Sequence, residues 1–467
     1  KNLKILVVDD TIFYRQLLSK MIEEMADIDL MGVASNGKIA LKKIELSEPD
    51  LVLMDMTMPE MDGLEALKHI KANHPGVNVV MISGVDKEAA TLTVKALEAG
   101  ALDFISKPKA ESPDAAVEEL KSELIPLIAL ARTMKYSRDA RMISEDKPSA
   151  VETHTSDARQ ESLYINRPHQ YYKGVQSSKN RLQSPEQRIG PSDRQHRSDS
   201  SYHPSDSKNR TFDSDHKSLE SRIDASRYRD QQSDKGPEPS GNRIKSSTTR
   251  ISDGPASATP VPLQGTLKKR DIGRIDVLAI GVSTGGPNTL KHIIPKLCKD
   301  LPVPILTVQH MPPIFTASLA ESLDRISSIT VVEGKAEQPL ENGIMYIAPG
   351  GRHMVVRKGA DSVVKLGLVD TPPVHNCRPA VDVLFRSIAM VFGGNVLTVI
   401  LTGMGHDGVS GVAAIRRKGG YSLAQDEKSS VVWGMPGALV EAGEVDEIHA
   451  EEQIADRIME LVKKSRL

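Results

Sequence analysis

Along residues 1–135 short apolar runs alternate with amphipathic stretches, the pattern of strands buried on both faces and separated by covering helices. The runs predict strands over 4–8, 30–34, 51–54, 78–82 and 102–105. The stretches between them predict helices near 12–25, 37–46, 63–73, 87–99 and 114–132. Such alternation implies an α/β domain built on a parallel sheet. The pattern then stops, and from 136 to 268 no period of 2 or 3.6 persists apart from a short helical pattern near 217–230. It resumes over 269–467 with a strand at 276–281 and apolar runs at 304–309, 329–332, 344–347 and 395–402. Helical patterns lie between several of these runs, so a second, Rossmann-like parallel sheet is expected.

Composition accounts for the gap. The chain has 467 residues, 39% of them hydrophobic, and a formal net charge of −2. Residues 151–250 hold only 10 Ile, Leu, Val, Met, Phe, Trp and Cys, against 19 Ser, 18 Lys+Arg and 14 Asp+Glu. That stretch cannot bury enough apolar surface to offset its ordering entropy, so 136–268 reads as a disordered linker rich in Ser, Arg, Asp and Gln. A random coil of roughly 130 residues spans on the order of 60 Å, which lowers the effective concentration of one domain at the other. The flanking domains are then ordinary in composition. Two cysteines, Cys298 and Cys377, make no disulfide framework and suit a reducing, cytoplasmic setting. No apolar run reaches the ~18 residues of a membrane span, and the opening run into Asp9-Asp10 reads as a strand, not a signal peptide. Near-neutral charge gives nucleic acid no role as a main partner.

In an open parallel sheet, ligands bind beyond the carboxyl ends of the strands. Asp9 and Asp10 follow the first predicted strand, Asp55 the third, Ser83 the fourth and Lys107 the fifth. Crowded carboxylates repel one another unless a hard cation such as Mg²⁺ lies between them. Asp55 could then accept a phosphoryl group, with Mg²⁺ and Lys107 neutralising its charge. One Asp after a strand is commonly a helix N-cap, but the whole set at one sheet edge outweighs that.

The second domain repeats the arrangement with different chemistry. Ser283 lies in the Gly-rich turn Gly281-Val282-Ser283-Thr284-Gly285-Gly286-Pro287, His310 closes the run from Pro304, and Asp407 follows Leu401-Thr402-Gly403-Met404-Gly405-His406. A hydroxyl, an imidazole and a carboxylate at three strand ends can serve as nucleophile, base and orienting group for acyl transfer. The chain order Ser, His, Asp differs from that of the α/β-hydrolases. A phosphate cradle is the competing reading of the turn, although it carries neither a P-loop nor G-x-G-x-x-G. His375 and Cys377 alone are a weak metal signal. Met56, Met58, Met61 and Trp433 read as packing residues, and His406 as exposed.

Longer motifs carry a family resemblance. VVDD (7–10), LMDMTMPEMDGLEAL (53–67), MISG (81–84) and ALEAGALDFISKP (96–108) resemble a response-regulator receiver domain. The resemblance implies a flavodoxin-like fold and phosphorylation of Asp55 by a histidine kinase. It also implies Mg²⁺ held by Asp9, Asp10, Asp55 and the Thr57 carbonyl, with Ser83, Phe104 and Lys107 as switch residues. GVSTGGP (281–287), QHMPPIFTASLA (309–320), IAPGGRHM (347–354), RPAVDVLF (378–385), TGMGHDG (402–408) and QDEKSSVVWGMPGA (425–438) resemble the chemotaxis protein-glutamate methylesterase family, CheB. That resemblance assigns Ser283 as nucleophile, His310 as general base and Asp407 as its orienting carboxylate. It places the Met404 N–H and Thr284 at the oxyanion and substrate loop, and requires no cofactor for the ester chemistry. The implied substrates are glutamate methyl esters and glutamines on the cytoplasmic domains of chemoreceptors, and the implied phosphodonor is a chemotaxis histidine kinase. Two other classes compete: a phosphorylation-switched binding module with an idle triad, and a DNA-binding regulator, which would need a basic helix-turn-helix output that this α/β pattern does not offer.

Overall fold

In a computed structural model of the chain, residues 2–108, 113–145 and 271–466 are described. Most of the predicted linker, including the helical pattern near 217–230, lies outside them.

The first domain runs β1 (Leu3–Val8), α1 (Ile12–Glu23), β2 (Ile28–Ala34), α2 (Gly37–Leu46), β3 (Leu51–Asp55), α3 (Gly63–Asn73), β4 (Asn78–Ser83), α4 (Lys87–Glu98), β5 (Asp103–Ser106) and α5 (Pro113–Glu145). Its five strands are parallel, in the order β2-β1-β3-β4-β5. The short predicted runs are strands because every residue of β3 is buried, which only a sheet covered on both faces allows. Four helices begin where a side chain accepts a backbone N–H of the first turn: Thr11, Asn36, Asp62 and Asp86.

Helix α5 departs from expectation by running to Glu145, past the predicted end at 132 and across the linker boundary at 136. Tertiary contacts hold this extension as far as Arg138. Lys135 Nζ donates to the Asn2 carbonyl and to Asp50, both at 2.6 Å, and Arg138 donates to the Gly76 carbonyl at 2.8 Å and to Asp50 at 2.6 Å. A polar stretch that looks like linker is therefore the last part of a docked helix.

The second domain comprises β6 (Val277–Val282), α6 (Gly286–Ile293), β7 (Ile305–Gln309), α7 (Phe315–Ile326), β8 (Thr330–Glu333), β9 (Ile344–Ile347), the antiparallel hairpin β10 (His353–Lys358) and β11 (Val364–Val369), α8 (Val381–Phe392), β12 (Val396–Ile400), α9 (Val409–Arg417), β13 (Tyr421–Gln425), α10 (Met435–Glu441), β14 (Glu447–His449) and α11 (Glu451–Lys464). Its seven-stranded sheet is parallel throughout, in the order β14-β13-β12-β6-β7-β9-β8. The chain starts at central β6, builds outward through β7, then returns to the other side of β6 with β12. That reversal opens a crevice at the carboxyl ends of β6, β7 and β12.

The two domains pack together through α4 against α6 and α7. Buried residues of both belong to one continuous apolar cluster, with Phe104 packed against it. Phe104 meets Phe315 with ring centroids 4.5 Å apart. Ser322 donates to Glu98 at 2.6 Å, and Met404, Val431 and Val432 pack against the receiver cluster that includes Ile105 and Leu120.

Candidate active site

The turn after β6 brings Ser283 to the crevice. Gly285, the cap of α6, has φ +79°, and a Cβ there would sit 2.7 Å from Val431. Only glycine takes this conformation without strain. Pro287 lies in the first turn of α6, as its fixed φ favours. Ser283 N donates to Thr402 O at 3.0 Å, tying the turn to the end of β12. A Cβ on Gly403 would lie 2.7 Å from Ser283 Cβ, so the loop carrying Met404 lies directly against the Ser283 turn.

His310, at the end of β7, pairs with Asp407 through Nε2 and Oδ2 at 2.8 Å. Asp407 also accepts Val381 N at 2.6 Å and Asp382 N at 2.9 Å. Its neighbour in space, Asp382, accepts Gly408 N at 3.1 Å and Gly411 N at 2.7 Å. Each buried carboxylate thus caps the helix next to the other: Asp407 caps α8, and Asp382 caps α9. Two helix N-termini favour negative charge here. Burial opposes ionisation of Asp407, but His310 and these two N–H groups together hold its carboxyl below the usual range. Burial likewise disfavours the His310 imidazolium, yet Asp407, with the Cys377 thiol alongside, raises its pKa well above that of an ordinary histidine. The Ser283 hydroxyl makes no hydrogen bond with His310 among the described contacts; such catalytic bonds often tighten only when substrate binds.

Several participants were not singled out from the sequence. Asp382 lies inside the motif RPAVDVLF (378–385) but was not picked out within it. Gln309 is buried, and its Nε2 donates to Ser283 O at 3.0 Å and His310 O at 3.4 Å, bracing the two strand ends. Buried His353 accepts Ala380 N through Nδ1 at 3.1 Å and so shapes the segment that brings Cys377 to His310. Cys377 is therefore a neighbour of the imidazole, and among the described residues it belongs to no cluster of three metal-ligating side chains. His375, Asp382 and Asp407 do offer ligand atoms within 4.8 Å of one another. Their carboxylates already accept N–H donors, which explains the cluster without a metal. Met56 and Met58 are buried, and His406 is exposed.

At the other sheet edge, Asp9, Asp10 and Asp55 converge with ligand atoms within 4.8 Å of one another. Lys107 Nζ lies 2.9 Å from Asp55 Oδ1 and 3.3 Å from Asp9 Oδ2, over the Tyr14 ring. Asp9 Oδ2 is buried without a hydrogen bond of good geometry. Burial raises the Asp55 carboxyl to about 6, with Asp9 and Asp10 adding to the effect and Lys107 opposing it. A divalent cation answers all three features, so these residues fit Mg²⁺. Thr57 follows Asp55 by two residues and is exposed. Ser83 is buried, and its Oγ accepts Thr93 Oγ1 at 2.6 Å. Phe104 is half-buried and turned to the second domain.

Comparison with known proteins matches residues 5–118 to the response regulator receiver domain and 278–458 to CheB methylesterase. A protein-glutamate methylesterase/protein-glutamine glutaminase of Desulfotalea psychrophila is 34% identical over 99% of both chains. The chain belongs to this methylesterase family. A relative of the same name in Trichodesmium erythraeum is 33% identical over 98% of both chains. The Thermotoga maritima CheB methylesterase catalytic domain is 40% identical, covering 40% of this chain and 99% of that one, with a TM-score of 0.40.

In this methylesterase the strained charge of Asp55 makes a stability prediction. Its folded pKa is raised to about 6, above the ordinary aspartate range, so folding disfavours the ionised form. That penalty is absent below the unfolded pKa, grows as pH rises towards 6 and is constant above. Without Mg²⁺, Asp55→Asn should therefore stabilise the protein by about 1–2 kcal/mol near neutral pH and by almost nothing near pH 3. Denaturant melts at the two pH values check this; equal shifts would contradict it.

Proposed function

We propose that this chain is a phosphorylation-activated protein-glutamate methylesterase and protein-glutamine glutaminase acting on chemoreceptors. The observation that supports it most is the 2.8 Å His310–Asp407 pair beside the Ser283 turn at the sheet's reversal point, in a chain related to such enzymes along its length.

In this reading Ser283 Oγ attacks the γ-ester carbonyl while His310 takes its proton. Asp407 keeps Nε2 oriented and stabilises the imidazolium that forms. The Met404 N–H, on the loop pressed against the nucleophile turn, and Thr284 receive the developing negative oxygen. His310 returns the proton to methanol as it leaves, or to ammonia when the substrate is glutamine. Water then attacks the acyl-serine with His310 as base, releasing a glutamate. The reaction needs neutral His310, whose pKa is raised, so activity increases as pH rises through the alkaline side of neutrality.

Residues 1–135, extended by the rest of α5, form the receiver; 269–467 form the esterase, with the predicted linker between them. Asp9, Asp10, Asp55 and the Thr57 carbonyl would hold Mg²⁺, which neutralises phosphoryl oxygens when bound. Lys107 pairs with the phosphorylated Asp55, while Ser83 and Phe104 pass on the change. A chemotaxis histidine kinase supplies the phosphoryl group, and the enzyme works in the cytoplasm on methylated receptor domains. None of the described helices is long and apolar enough to cross a membrane.

Methanol release from methylated receptor membranes tests both halves. A small-molecule phosphodonor with Mg²⁺ should accelerate it severalfold. Asp55→Asn, or removal of Mg²⁺ by a chelator, should eliminate that acceleration. Equal stimulation in the variant would refute Asp55 as the switch.

A further inference from the structure

The receiver does more than pack beside the crevice. Asp103, the first residue of β5, accepts a hydrogen bond from Thr284 Oγ1 at 2.6 Å. Thr284 is buried and adjoins the nucleophile Ser283. The other Asp103 oxygen accepts Phe104 N at 2.9 Å, which fixes the carboxylate, and the next ring is seated on Phe315. Burial raises the Asp103 pKa, while the Thr284 and Phe104 donors and the nearby His310 favour its charge. A carboxylate thus sits beside the nucleophile, against a hydroxyl donor and within the field of the catalytic imidazole. Ester hydrolysis and glutamine deamidation both end in a side-chain carboxylate, which differs from that of Asp103 by one methylene.

We propose that Asp103 is an internal mimic of the reaction product, seated in the subsite that holds the glutamate carboxyl group, and that Thr284 Oγ1 is the donor that reads the substrate's side-chain carbonyl there. The inference rests on the esterase reading and specifies the chemistry of the same site. It separates Asp103 from Glu98, which accepts an equally short 2.6 Å bond from Ser322, but on α7 and not on the nucleophile turn. Glu98 contributes to docking alone. Asp103 contributes to docking and competes with product. Placing a second carboxylate near His310 also favours its protonated form, which cannot act as base.

The full-length protein is tested before and after phosphodonor treatment, by methanol release and by binding of N-acetyl-glutamate amide. Asp103→Ala should raise the untreated rate about ten- to a hundredfold, the effect of losing one hydrogen bond to a charged group. It should also let the untreated protein bind N-acetyl-glutamate amide at least about tenfold more tightly than wild type. Glu98→Gln should raise the untreated rate less. In treated protein, Thr284→Val should lower kcat/KM about tenfold and weaken inhibition by N-acetyl-glutamate amide similarly, with Thr284→Ser restoring both. An unchanged untreated rate in Asp103→Ala, or wild-type kinetics and inhibition in treated Thr284→Val, overturns the proposal. If wild type releases no methanol in either form, the esterase reading fails by itself. The binding comparison still decides about Asp103, because equal affinity in wild type and Asp103→Ala overturns the mimic.

Discussion

Ser283→Ala should lower methanol release by about 10³-fold or more while leaving the fold intact. The reason is that the substitution removes a single atom that, in the proposed mechanism, serves only the chemistry. The Ser283 backbone keeps its bonds to Thr402 O and from Gly286 N, and Gln309 still donates to its carbonyl. No described hydrogen bond uses its Oγ, so the melting temperature should stay within about a degree of wild type, as for substitutions that break no packing or polar contact. The residual rate is what the oxyanion site and binding supply without a nucleophile. A variant retaining a tenth of the activity would remove Ser283 from the mechanism.

Asp407→Asn should also have a very large effect, with a different signature. Loss of the charge beside His310 should cost about 10⁴-fold in kcat, since the imidazole loses both its orientation and the partner for its protonated form. The raised pKa of His310 depends on Asp407, so the variant's remaining activity should reach its plateau at lower pH than the wild type's. Unlike Ser283, Asp407 also has structural duties. Its two oxygens accept Val381 N and Asp382 N, and an amide placed there turns its NH₂ toward one of those donors. A further loss of about 2–4 kcal/mol in stability is therefore expected, from one broken buried cap and one weakened one. Calorimetry and a pH–rate profile together check both parts. Unaltered stability would mean that the reciprocal capping by Asp407 and Asp382 contributes little.

The receiver domain was the more legible half. Each predicted strand from 4–8 to 102–105 lies within a few residues of β1 to β5, because a strand buried on both faces must be almost wholly apolar. In the second domain β10, β11, β13 and β14 escaped notice. Strand β13 is entirely buried yet carries Ser422 and Gln425, which break its apolar run. Both depend on distant partners: Ser422 Oγ donates to Glu444 O, and Gln425 Oε1 accepts Thr402 N. Strand β10 opens with buried His353, whose role likewise depends on residues 19 and 27 positions away.

The same division holds for the candidate site. Ser283, His310, Asp407, Asp9, Asp10, Asp55 and Lys107 could be chosen from sequence because each follows a strand, and parallel strands of one sheet present their carboxyl ends to one crevice. Local patterning thus determined both α/β domains and the sheet edges at which chemistry gathers. Only the tertiary structure decided that Asp382 and Asp407 cap each other's helices, that Gln309 braces the Ser283 turn to His310, and that Asp103 reaches Thr284 across 181 residues. Apolar periodicity reports which side of an element is covered. The pairing of individual donors and acceptors depends on atomic separations that arise only when distant elements pack together.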